Sequence, residues 1–180
     1  MALSELLERK KASLADQWFD QAVATYPEES SSFLKRKKDQ FQNPVGHTLA
    51  EHTEAILNEL IGPMDREKVA ASLDRIVRIR AIQDFSASQA LAFIPTLKGI
   101  VRRELAKDLA KQDMAEDLRL FEERLDQVLL MAFDIFMSVR QRVYEIKCEE
   151  VKRLYYQVIR RADVVVPIPQ QEEPDLKPPE

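Results

Sequence analysis

Glycine is scarce. The chain has three, Gly46, Gly62 and Gly99, in 180 residues. Their positions cannot build a phosphate-cradling loop of the G-x-G-x-x-G or G-x-x-x-x-G-K kind, which excludes nucleotide binding by that device. Cysteine is scarcer. Cys148 stands alone, so there is no intramolecular disulfide framework, and a reducing compartment is expected. The two histidines, His47 and His52, stand five apart and diverge by about 140° around a helix. They make a poor metal pair, and no metal is expected. Residues 53–180 hold no histidine, which excludes histidine-ligated haem from that stretch. No run approaches about 18 uncharged apolar residues, so direct membrane insertion is not expected. Met1 to Glu5 have no basic stretch followed by an apolar one, so no secretory leader is expected. The net charge of −4 lacks the basic excess of nucleic-acid binders, so no nucleic-acid partner is expected. These absences together imply a soluble cytoplasmic protein that needs no cofactor.

What is present is helical. Hydrophobic residues make up 45% and charged residues 32% of the chain, enough of both for one core and a solvated surface. Helix formers dominate and β-branched alternation is nearly absent, which gives an all-α fold. We expect a bundle of about six helices over residues 1–162, with a long C-terminal helix. A disordered proline-rich tail, 163–180, would follow, since VVVPIPQQEEPDLKPPE holds five of the nine prolines. Ser4 reads as an N-cap of a first helix that ends at Tyr26-Pro27. Pro27-Glu28-Glu29 opens a second. Asn43-Pro44 opens a third that Gly62-Pro63 stops, and Asp65 caps a fourth.

The stretch RIVRIRAIQDFSASQALAFIPTLKG, residues 75–99, joins that fourth helix to the next through a polar knot. Ser86-Ala87-Ser88-Gln89 is a capping-box pattern with an apolar helix behind it. Pro95 lies inside that helix and kinks it, and Gly99 suggests a close backbone approach. From about Met114 to Ala162 no breaker occurs. Leu125, Val128, Ala132, Ile135 and Val139 step by three and four as a heptad-like seam, while Phe133 and Phe136 widen the apolar surface beyond it. A helix apolar all round is buried on two sides. One side is its own core and the other a second subunit. Phe133 and Phe136, three apart, share a face beside the seam of the other five, and one of these two sets faces the partner. The seven are therefore the candidate dimer interface and a homodimer the expected state.

Four features are candidate sites. Arg78, Arg80, Gln83, Asp84, Phe85 and Ser88 either line a small-ligand or partner site or serve only capping and salt bridging. Lys35 to Lys38 in FLKRKKDQF are either an anion, acidic-partner or RNA contact or a solvated helix face. Cys148 is either a reactive thiol or a structural one on a partly buried stripe. His52 with Glu51 is either a weak ligand pair or a surface histidine. No nucleophile–base pair is present, so no enzyme is expected and no catalytic residue is assigned.

Three stretches carry a family resemblance. LLERKKASLADQWFDQAVATYP contains Trp18 and ends in Tyr26-Pro27. SSFLKRKKDQFQNPVGHTL contains Phe41 and Asn43-Pro44-Val45-Gly46-His47. DRIVRIRAIQDFSASQALAFIPTLKGIVRREL runs through Arg78 to Phe85 and Ser86 to Ala90. Over roughly residues 3–136 the sequence resembles the N-terminal domain of RsbRD-type RsbT co-antagonists. The resemblance implies a stressosome-type signalling input domain with a globin-like helical fold, no haem, and a dimeric state. In that family a STAS domain normally follows and carries output to the RsbT kinase. The proline-rich tail stands in that place here, so no direct link to the kinase is expected. The resemblance also implies an association of stand-alone copies of this kind with anaerobic sulfur-respiring redox complexes. Two function classes follow: a non-enzymatic sensor that binds a small molecule or an as yet unknown protein partner, and a structural or accessory protein docking on a larger complex, such as an anaerobic redox complex.

Overall fold

The computed structural model describes residues 2–35, 41–83, 85–110 and 114–161. Among these the chain is all-α, with eight helices and no strand: α1 (Leu3–Ala24), α2 (Glu28–Leu34), α3 (Pro44–Ile61), α4 (Arg66–Ile82), α5 (Ala87–Leu91), α6 (Phe93–Glu104), α7 (Ala106–Leu109) and α8 (Ala115–Arg161). They form two compact units, one ending at Val143 and the other beginning at Tyr144. The tail expected at 163–180 lies outside the described residues.

Most helix ends are set by residues the sequence marks. The Asp65 carboxylate accepts from the backbone N–H of Glu67 and Lys68, starting α4 as an N-cap should. Ser86 Oγ accepts from Gln89 N at 3.2 Å, and Gln89 Oε1 accepts from Ser86 N at 3.0 Å. Both halves of the capping box are therefore formed. Ser4 is not a cap. The Glu5 carboxylate accepts from Ala2 N–H instead, and α1 begins at Leu3. Near Pro95 the helix is interrupted at Ala92, whose backbone stays in the helical region. Pro95 has no N–H for the Leu91 carbonyl and its ring crowds that oxygen, so α5 ends at Leu91 and α6 starts at Phe93. Gly99 is exposed, and a Cβ placed there would meet nothing within 4 Å; the expected close approach does not occur.

Gly46 is the glycine that packing requires. A Cβ there would lie 2.3 Å from Asn43 Nδ2 and 2.4 Å from the Leu34 carbonyl. Asn43, almost fully buried, accepts from Gly46 N at 2.9 Å. It donates to the carbonyls of Phe33 and Leu34 at 3.1 and 3.0 Å. One side chain thus caps α3 and satisfies the end of α2.

In the first unit α1 packs on α3 and α6, and α3 on α4. Trp18, with no exposure, donates Nε1–H to the Phe93 carbonyl at 2.8 Å. The part of α8 up to Val143 turns Leu118, Phe121, Leu125, Val128, Ala132, Phe136 and Val139 into this core. Each such Leu or Phe contributes about 1.5–3 kcal/mol. Ion pairs Lys98–Asp126 and Arg102–Glu122 tie it to α6. Arg124 donates to the Gly62 carbonyl at 2.9 Å, closing the end of α3. The second unit, described from residue 144 to residue 161, exposes Tyr144, Ile146, Val151, Leu154, Tyr155 and Val158.

Candidate functional site

The knot is organised around one side chain. Arg80 has no solvent exposure. It follows Val69, Leu73, Ile76 and Val77 on the inward stripe of α4, so the helix that buries those residues buries it too. Nη1 donates to the Ala90 carbonyl of α5 at 2.9 Å. Nη2 donates to the Ala22 carbonyl at the end of α1 at 2.7 Å and to Thr25 Oγ1 at 2.8 Å. The guanidinium carbon lies 5.0 Å from the Tyr26 ring centroid, 5.5 Å from that of Phe85 and 4.8 Å from that of Phe93. Tyr26 and Phe85 meet edge to face at 5.2 Å. Among the described residues no carboxylate lies in ion-pair range of Arg80. Carbonyl dipoles and π faces carry the charge instead. Burial pulls the Arg80 guanidinium below its ordinary value, with Tyr26 opposing; burial raises the Tyr26 phenol, opposed by the Arg80 charge.

The predicted ligand residues separate accordingly. Arg80 and Phe85 belong to this cluster, and Gln83 Oε1 is buried. Arg78 points the other way, exposed, with its Nη2 2.8 Å and its Nε 3.2 Å from the Asp74 carboxylate. Ser88 is exposed and shares a hydrogen bond with Ser86. Asp84 lies outside the described residues. Tyr26, Thr25 and Trp18 complete the arrangement and were not expected as site residues; Tyr26-Pro27 reads in sequence as a helix stop. The clue to Arg80 is its place at a core step of the α4 stripe, where an arginine is buried only if partners meet its charge.

On the other side of α5 runs an apolar groove of about 630 Å³, with Ser88, Leu91 and Pro95 on one wall and Leu129, Leu130 and Phe133 on the other. The predicted dimer residues fall unevenly here. Leu125, Val128, Ala132, Phe136 and Val139 are buried in the chain's own core, and Ile135 is partly buried. Phe133 is 45% exposed. Phe133 and Phe136, expected to share a face, are thus divided between outside and inside. Leu130 and Met137 join Phe133 on the exposed side.

The remaining candidates carry less. Lys35 lies 3.8 Å from the Asp20 carboxylate; Arg36, Lys37 and Lys38 lie outside the described residues. Cys148 is exposed rather than partly buried. His47 Nε2 stands 3.5 Å from Glu51. Burial lowers the His52 pKa, opposed by Glu51. Among the described residues no helix is long and apolar enough to cross a membrane.

An all-helical domain with a buried arginine cluster and an open apolar groove has the parts of a binding module. Over residues 12–150 the sequence matches the family described as RsbT co-antagonist protein rsbRD N-terminal domain. The match covers more than half of the chain, which belongs to that family. At family level it is a stressosome-type signalling input domain. No curated protein matches the chain, and no solved structure does.

Proposed function

We propose that the chain is a non-enzymatic cytoplasmic input module that works as a homodimer and signals by binding, with the α5–α8 groove as its dimer face. The carrying observation is the groove itself, a concavity whose α8 wall exposes the apolar side chains of Leu130 and Phe133. A two-fold partner presents the same surface, so each Phe133 meets the other subunit's groove; a closed dimer hides both. On this reading the fold is globin-like and haem-free, which the lack of histidine after His52 supports, and the single cysteine supports a reducing compartment. The Arg80 cluster holds α5, one groove wall, against α1. A ligand or protein partner that displaces α5 is then sensed at the dimer face. The alternative, an accessory protein docking on a larger complex, is favoured by the exposed Tyr144, Val151, Tyr155 and Val158. Light scattering on the wild type and on Phe133→Asp tests the proposal. A dimer that becomes a folded monomer supports it. A monomeric wild type rejects it.

A further inference from the structure

A second concavity, of about 220 Å³, lies within the first unit and shares no lining residue with the groove. Three helices wall it. Leu7 of α1, Leu60 of α3 and Phe121 of α8 are buried and apolar. Three polar side chains line it as well: Ser4 at the start of α1, and Asp117 and Arg124 on α8. Each has bonding capacity left over. The Ser4 hydroxyl caps nothing. Arg124 uses Nη1 on the carbonyls of Leu60 and Gly62, at 3.3 and 2.9 Å. That anchors the guanidinium at the end of α3 and leaves Nε–H and Nη2–H, the side-on fork that grips a carboxylate bidentately. Asp117 and Arg124 stand about 10 Å apart along the helix axis and do not pair with each other. Among the described residues neither has an ion-pair partner.

We propose that this pocket binds a free amino acid with an aliphatic side chain. Its carboxylate meets Arg124, its ammonium meets Asp117, and its side chain lies on Leu7, Leu60 and Phe121. The charges decide the class. A bare anion would gain Arg124 but meet the Asp117 carboxylate, and a bare cation would do the reverse. A zwitterion gives each group the opposite sign. The Ser4 hydroxyl accepts from the ammonium or donates to the carboxylate. Size sets the rest. A water occupies about 30 Å³ of liquid, so the pocket holds a molecule of about seven to nine non-hydrogen atoms. Pockets for drug-sized ligands begin at about 300 Å³. The site stands apart from the groove, and it fills or stays empty whether or not the chain is a dimer.

Calorimetric titration and thermal melts of the full chain test this with L-leucine, L-valine and L-methionine. Isocaproate and isoamylamine, which keep leucine's side chain but carry only one of its charges, are the controls. The expected result is one amino acid bound per chain with a raised thermal midpoint, and each one-charge control bound at least about tenfold more weakly, the loss of one charge-assisted contact. Arg124 also closes α3, so the diagnostic variant is Asp117→Asn, an exposed position. It should keep the wild-type melt, weaken the amino acid about tenfold and leave isocaproate unchanged. If none of the three amino acids binds at up to about 10 mM, the proposal fails. Isocaproate binding as tightly as leucine overturns it in favour of a simple carboxylate site. Unchanged amino-acid affinity in Asp117→Asn overturns it too.

Discussion

Arg80 shows how one residue fixes several elements. Its planar fork reaches α1 and α5 at once, which a lysine's point charge cannot do. Arg80→Met should cost about 3 kcal/mol or more, since it removes the bonds from a charged donor to Ala22, Thr25 and Ala90, each worth about 1.5–3 kcal/mol; denaturant titration measures it. Asn43 plays the same part between α2 and α3. Asn43→Ala should cost about 1–3 kcal/mol, seen as a fall in the thermal midpoint with the helical spectrum retained. Tyr26 adds a pH signature. Its folded pKa is raised by burial, so the unfolded chain ionises first, at about 10. The contribution is fully present below that pH and is lost as pH rises through the folded value. Alkaline titration of stability should therefore show a fall above about pH 10 that Tyr26→Phe reduces.

Among the elements, the helix ends were the most legible, because caps are local chemistry. Asn43, Asp65 and the Ser86–Gln89 box all act where their residue types place them. Ser86→Ala should lower stability by about 1 kcal/mol in thermal melts; an unchanged midpoint would mean that Gln89 and Ser88 hold the start of α5 without it. The faces of helices were legible only where polar residues mark the outside. In α8, steps of three and four from Ala132 reach both Ile135 and Phe136, and the sequence between Val128 and Met137 has few polar residues to choose between them. Packing chose Phe136 for the core and left Ile135 partly exposed. At the knot, Arg78 and Arg80 look alike in sequence, but two residues apart on a helix they point in nearly opposite directions. One pairs with Asp74 in solvent and the other is buried. Tyr26 was illegible as a partner of Arg80 because that contact spans distant parts of the chain.

At the scale of the whole molecule, membership of the rsbRD N-terminal domain family points, at family level, to a stressosome-type signalling input domain. The proposal that it acts as a dimer depends on which side of α8 is spare. The inward side is spent on the core, and Val128→Asp, with no exposure in the native fold, should give a misfolded protein. Phe133→Asp changes only the outer side and should leave the fold intact. The most direct test is the molar mass of the wild type and of Phe133→Asp by light scattering coupled to gel filtration. The account predicts twice the 20.8 kDa chain mass for the wild type and the single-chain mass, with an unchanged helical spectrum, for Phe133→Asp. A wild type that elutes as a monodisperse monomer, indistinguishable from Phe133→Asp, would contradict it.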